Sequence, residues 1–89
     1  MYYAYILCCS DNSFYTGHSK ALKQRHKQHC RGEVQATKNK RPVKLIYYEK
    51  FPAKQEAMSR EKQIKGWSRI KKYNLVKYGH PTKIEKHKI

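Results

Sequence analysis

Tyr2-Tyr3-Ala4-Tyr5-Ile6-Leu7-Cys8-Cys9-Ser10-Asp11-Asn12-Ser13-Phe14-Tyr15-Thr16-Gly17-His18 is the stretch on which the fold turns. Tyr2 to Cys9 is aromatic, aliphatic and uncharged, and such side chains suit a pleated, buried surface. Ser10 to Ser13 are turn formers, whose side chains bond to nearby backbone. Phe14 to His18 then reads as the returning strand. Alternation places Tyr3, Tyr5, Leu7 and Cys9 on one face, and Tyr2, Ala4, Ile6 and Cys8 on the other. The hairpin register decides which side chains meet across it. An odd loop, Ser10-Asp11-Asn12, pairs Cys9 with Ser13 and odd positions with odd, so that Tyr5 and Tyr15 share a face. A two-residue loop would separate them. Gly17 marks a strand end, a bulge, or a close approach of another group to the backbone.

Outward from the hairpin, Ser19 reads as an N-cap and residues 20–31 as a helix closed by Gly32. Leu22, Arg25, His26 and His29 cluster on one side of it, at spacings of three and four. Leu22 must anchor this helix to the sheet, which draws Arg25 and His29 toward the core side. Glu33 to Arg41 is polar and reads as a mobile basic loop. Pro42 opens a third strand over 43–51, with Val43, Leu45, Tyr47 and Glu49 on one face and Ile46 and Tyr48 on the other. Pro52 breaks it and starts a helix over 53–65 that Gly66 ends. A third helix over 69–78 places Ile70, Tyr73, Asn74 and Lys77 on one face. The order β-β-α-β-α-α predicts an α+β domain over residues 1–79, with a small three-stranded antiparallel sheet flanked by three helices. Residues 80–89 form a basic C-terminal tail.

In the second helix Ala53, Ala57 and Ile64 make an apolar stripe, and Glu61 falls inside it. An inward carboxylate is costly unless something pairs it. The chain has 6 acidic residues against 21 basic ones, so an inward acid stands out. It predicts a cation held by Glu61, either an arginine or a metal.

The formal charge of +15 predicts a polyanionic partner, nucleic acid above all. A basic surface that serves solubility, or a ribosome-associated protein, is the plainer reading. Lys20, Lys23, Lys27, Lys38, Lys40, Arg41, Lys71 and Lys72 are the candidate phosphate contacts. Cys8, Cys9 and Cys30 cannot all pair within one chain, and neither Cys-x-x-Cys nor zinc spacing occurs. Reduced thiols and a cytoplasmic location are the expectation. No signal peptide or apolar run of membrane length is seen, so no membrane partner is expected.

Tyr3-Ala4-Tyr5 on the first strand and Tyr15-Thr16-Gly17 on the second resemble the two halves of the GIY-YIG nuclease signature. The first half reads Tyr-Ala-Tyr here in place of Gly-Ile-Tyr and keeps its last tyrosine. Arg25 lies ten residues after Tyr15, where the family keeps an arginine. His29, one helical turn on, matches a histidine of many members, and Glu61 matches the metal-binding glutamate. Ser68-Arg69 after Glu61-Lys62-Gln63-Ile64-Lys65 is similar to the small stand-alone bacterial branch, the YhbQ-like proteins. The resemblance runs over residues 2–78. His18, directly after Gly17, and Asn74, set against a late asparagine of some members, are further candidates.

The resemblance implies a metal-dependent endonuclease that hydrolyses phosphodiester bonds in DNA, structure-specific and repair-related. It implies Mg²⁺ or Mn²⁺ on Glu61, hard ions that favour oxygen ligands. It implies Arg25 on the scissile phosphate, Tyr5 as the base or water-orienting group with His29 sharing its proton, and Tyr15 lining the site. The substrate is expected to be branched or damaged DNA, and the protein a monomer or weak dimer. Two readings compete. One is a non-catalytic nucleic-acid-binding module, for DNA or for RNA at the ribosome, which leaves Glu61 without a task. The other makes Glu61 the internal ion-pair partner of Arg25.

Overall fold

Why the hairpin closes as it does is visible in its turn. A computed structural model describes residues 1–79 of the protein, so the basic tail lies outside the described residues. Cys9 N–H donates to the Ser13 carbonyl at 2.9 Å, and Asn12 N–H to the Cys9 carbonyl at 2.9 Å. Asp11 Oδ1 accepts from the Ser13 backbone N–H at 3.0 Å and from Ser13 Oγ at 2.6 Å. Asn12 takes φ 68°, a left-handed conformation that asparagine tolerates. The result is the odd loop: Tyr5 pairs with Gly17 and Leu7 with Tyr15.

The elements are β1 (Tyr2–Cys8), β2 (Phe14–Ser19), α1 (Leu22–Cys30), a single 3-10 turn (Lys38–Lys40), β3 (Lys44–Phe51), α2 (Lys54–Lys65) and α3 (Arg69–Tyr78). The sheet order is β2-β1-β3, with both pairings antiparallel. This is the expected α+β fold. The central strand β1 is buried on both faces. On one, Tyr5, Leu7, Cys9 and Val43 gather Tyr15, Leu45 and Leu22 of α1. On the other, Ile6 packs against Ile64 of α2 and Leu75 of α3, with Phe14, Ile46 and Trp67 around them. Helices therefore cover both faces, and β2 is a free edge between α1 and α2.

Several expectations need correction. Helix α1 is shorter than 20–31. Ser19 ends β2, and its Oγ accepts Ala21 N–H at 3.1 Å, so it turns the chain ahead of the helix without capping it. Gly32 does stop α1, at φ 78°, with Glu33 N–H donating back to the Gln28 carbonyl at 2.9 Å. In β3 the pairing shifts opposite Ile6 and Leu7, which leaves Ile46 as an extra residue. The bulge interrupts alternation. Val43 and Leu45 face α1, while Ile46 and Tyr47 both face α2 and α3. Glu49 follows Tyr47 to that side, where Arg60 of α2 grips it with two bonds of 2.9 and 3.0 Å and lies 5.1 Å over the Trp67 ring.

Helix α3 buries Leu75 and leaves Ile70 62% and Tyr73 43% exposed, so the face that these two share with Asn74 and Lys77 is not the one that packs on the sheet. Apolar residues surround this helix, so periodicity alone does not choose a side, and the aliphatic surface of Ile6 and Ile64 does. In α2 the stripe begins at Ala57, because Ala53 is an exposed N-cap. The segment over 33–41 is not simply a solvated loop: Val34 and Thr37 are buried and anchor it.

Candidate active site

Tyr5 lies at the centre of the sheet, but its hydroxyl does not stay there. Its pairing with Gly17 lets the ring lie across the neighbouring strand toward the free edge of β2. A Cβ on Gly17 would stand 2.6 Å from Tyr5 Oη and 2.7 Å from Cζ, so only glycine admits this path. Of the three alternatives for Gly17, the close approach is the one realised. Beyond the glycine, Tyr5 Oη meets His29 Nε2 at 2.8 Å. His29 is fully buried on the inner face of α1, and its Nδ1 meets Thr37 Oγ1 at 2.7 Å. Tyr15 closes the group, its ring centroid 5.0 Å from His29 and 6.4 Å from Tyr5.

Arg25 precedes His29 by one turn. It is half-buried, and its Nη1 donates to Gln28 Oε1 at 3.1 Å. Its guanidinium acts on both neighbours. Burial pushes the Tyr5 hydroxyl up to about 12, against the pull of a hydrogen bond from Arg25. Burial, helped by the Arg25 and His26 charges, lowers His29 to about 4. At neutral pH this group therefore holds a neutral imidazole, a protonated phenol and one fixed cation.

Across the edge of β2, α2 brings in Glu61. Its side chain is 14% exposed, an inward carboxylate as expected, but its partners are not the expected arginine. His18 Nδ1 bonds Glu61 Oε1, and Lys65 Nζ bonds Oε2 at 2.6 Å. The internal pair with Arg25 is replaced by these two contacts. Burial alone would raise the Glu61 pKa, and the hydrogen bonds from Lys65 and His18 overcome it, so the carboxyl is held below its ordinary value. The two halves sense each other through space. Glu61 raises the Tyr5 pKa further, and Tyr15 helps hold the proton on Lys65.

The chain thus collects Tyr5, Tyr15, Gly17, His18, Arg25, His29 and Glu61 around one strand edge. Asn74 sits half-buried on α3. Lys20 is exposed just ahead of α1, Lys23 and Lys27 are exposed on it, and Lys38, Lys40 and Arg41 are exposed on the segment that Thr37 ties to α1. Lys71 and Lys72 belong to α3, which covers the opposite face of the sheet, so they are not brought to the α1 side. Sequence reasoning missed two contributors. Lys65 had a signal, since Glu61 and Lys65 are neighbours at i,i+4 on a helix. Thr37 had none, because it lies in a segment without period.

As a metal site the donor set is sparse. Among the described residues no group of three His, Cys, Asp or Glu side chains could hold an ion. One half-buried carboxylate at a strand edge still suits Mg²⁺, which keeps several waters and takes phosphate oxygens as further ligands. Glu61 would fit that role once an oxygen is released by Lys65, whose side chain is 53% exposed. Among the described residues no helix is long and apolar enough to cross a membrane.

The sequence profile of the family described as GIY-YIG catalytic domain matches residues 1–74. A UPF0213 protein of Staphylococcus aureus is 44% identical over 77 residues, covering 85% of this chain and 94% of its own. A UPF0213 protein of Staphylococcus saprophyticus is 44% identical over 79 residues, covering 88% and 96%. The solution NMR structure of a UPF0213 protein from Bacillus halodurans superposes with TM-score 0.56 at 41% identity, over 85% of this chain and 83% of that one.

Proposed function

This chain belongs to the GIY-YIG catalytic domain family, and from that premise we propose that it is a metal-dependent endonuclease that hydrolyses phosphodiester bonds in DNA, with branched or damaged duplexes of the kind met in repair as its substrates. The observation that carries the reading is the meeting of a Tyr5–His29–Thr37 hydrogen-bonded chain with the carboxylate of Glu61 over one free strand edge.

Hydrolysis needs an activated water, charge stabilisation on the phosphate and help for the leaving oxygen. Glu61 would hold Mg²⁺ or Mn²⁺, which supplies charge stabilisation at the phosphate. Arg25 directs its guanidinium donors at the non-bridging phosphate oxygens. Tyr5 cannot be a standing phenolate at neutral pH, with a pKa near 12. Nor does it hand its proton to a resting His29 and wait, because burial raises the pKa of Tyr5 and lowers that of His29. The two must act in one motion. Tyr5 Oη takes the proton of the attacking water as its own proton passes to His29 Nε2. For this His29 needs its Nδ1 protonated, donating to Thr37 Oγ1, which fixes the tautomer. The charge gained on His29 is stabilised by the approaching phosphate. Tyr15 packs against the imidazole and limits water access.

Glu61→Gln tests the reading. Its partners in the protein are an exposed lysine and a partly exposed histidine, so losing the charge costs about 1 kcal/mol or less. The variant is expected to lose Mg²⁺-dependent cleavage of a labelled branched duplex while its melting temperature and DNA affinity stay close to the wild type. Full cleavage by Glu61→Gln overturns the mechanism.

A further inference from the structure

On the α1 face of the sheet, one strand beyond Tyr5, lies a second recess that the cleavage chemistry does not use. Tyr5 pairs with Gly17 on one side and with Tyr48 of β3 on the other. Tyr48 opens a cavity of ≈ 620 Å³ between β3, β1 and the start of α1. Tyr3 and Tyr48 stand edge to face in it, ring centroids 5.9 Å apart. Leu22 and Leu45 give it apolar walls. Lys20, Lys23 and Lys50 stand around it, and none of its lining residues is acidic. His26 also lines it, and the buried His26 Nε2 has no hydrogen-bond partner.

These features call for one kind of occupant. A tyrosine that keeps 48% of its surface exposed, beside a second ring, offers a flat apolar face. The lysines demand negative charge close to that face. The orphaned imidazole nitrogen demands a polar edge that can exchange a hydrogen bond, since a buried polar atom left unpaired is costly. A planar heterocycle with polar edges, joined to phosphate, meets all three demands. We infer that this cavity takes an unpaired nucleotide of the DNA substrate: its base stacks on Tyr48, its edge bonds His26, and its phosphates meet Lys20, Lys23 and Lys50. Aromatic stacking with basic neighbours is how proteins hold single strands without reading sequence. A fully paired duplex keeps its bases stacked and cannot fill the cavity. The inference rests on the nuclease reading and narrows its substrate to DNA with unpaired nucleotides beside the cut.

The test measures binding in Mg²⁺-free buffer, where no cleavage intrudes, with a blunt duplex and the same duplex carrying a short single-stranded overhang with 2-aminopurine. Wild-type protein is expected to bind the overhang substrate more tightly and to quench the probe. Tyr48→Ala is expected to lose about tenfold in overhang affinity, the scale of one base–aromatic stack, and to lose the quenching. Its affinity for the blunt duplex should stay within about twofold. His26→Ala should weaken overhang binding in the same selective way. Equal losses on both substrates, or no change on either, overturn the cavity assignment and leave the nuclease reading standing. Failure of the wild type to bind either DNA overturns both.

Discussion

His29 is neutral because burial removes the water that an imidazolium needs, and because Arg25 already places a positive charge beside it. That has a consequence for stability. The folded-state pKa of about 4 lies below the ordinary value of 6.5. Between those values the unfolded chain binds a proton at this position and the folded chain does not. Stability from His29 is therefore fully present above pH 6.5 and is lost as pH falls toward 4, by at most about 3 kcal/mol. Chemical denaturation of the wild type from pH 7.5 to 4.5 should show this loss, and His29→Gln should show a shallower fall over the same window. Parallel curves for the two proteins would mean that His29 titrates freely. The neutral imidazole that makes the fold acid-sensitive is also the form able to accept a proton from Tyr5.

At the scale of elements, the site depends on how β1 and β2 are paired. The odd loop sets Tyr5 opposite Gly17, and the missing Cβ there lets the phenol cross to the strand edge and reach His29. Gly17 is not needed for an unusual backbone angle; Asn12 is the described non-glycine residue with positive φ, and the positive-φ glycines are Gly32 and Gly79. Its role is the space above it. Gly17→Ala should therefore act as overpacking, with a cost of about 1–3 kcal/mol. It should also displace the Tyr5 hydroxyl from His29 and lower cleavage. Urea unfolding and a single-turnover cleavage assay on the same variant check both parts, and an alanine tolerated in both would show that Tyr5 can take another path. Helix α2 contributes from the other side of the same strand, and the clasp of Arg60 on Glu49 fixes where it lies.

At the scale of the molecule, the chain carries a formal charge of +15, and among the described residues lysines lie on both the α1 and the α3 side of the sheet. The α1 side carries exposed Lys20, Lys23 and Lys27, and Lys38, Lys40 and Arg41 are exposed on the segment that Thr37 ties to α1. A duplex seated on the catalytic edge from that side would release counterions from about six contacts. A plot of log binding constant against log salt should then have a slope of about −5. Lys20→Ala and Lys27→Ala should each reduce the slope by about one, while Lys71→Ala and Lys72→Ala, on the opposite face, leave it unchanged. A flat salt dependence would remove the electrostatic account. Equal effects from the α1 and α3 lysines would show that DNA spans both faces.

Local chemistry determined a good part of this protein. Turn residues between two apolar runs marked the hairpin and left its loop odd or even, and the odd loop that forms gives Tyr5 and Tyr15 their shared face. Gly32 set the end of α1, and the helical spacing of Leu22, Arg25 and His29 turned the last of these into the core. An acid inside an apolar stripe marked Glu61 as a residue needing a cation. Each of these depends on residues close together in the chain, so the sequence carries them. The tertiary structure alone decided what lay between distant segments. Glu61 took His18 and Lys65 over Arg25, because α2 packs on the α2/α3 side of β2 while Arg25 stands on the other. Thr37 entered the site because the segment after α1 folds back onto His29, which no period announces. The bulge at Ile46 moved Tyr47 across the sheet, and α3 turned Leu75 inward because Ile6 and Ile64 offered it an aliphatic surface. Such choices are made by the partner across the gap, and a sequence does not state the partner.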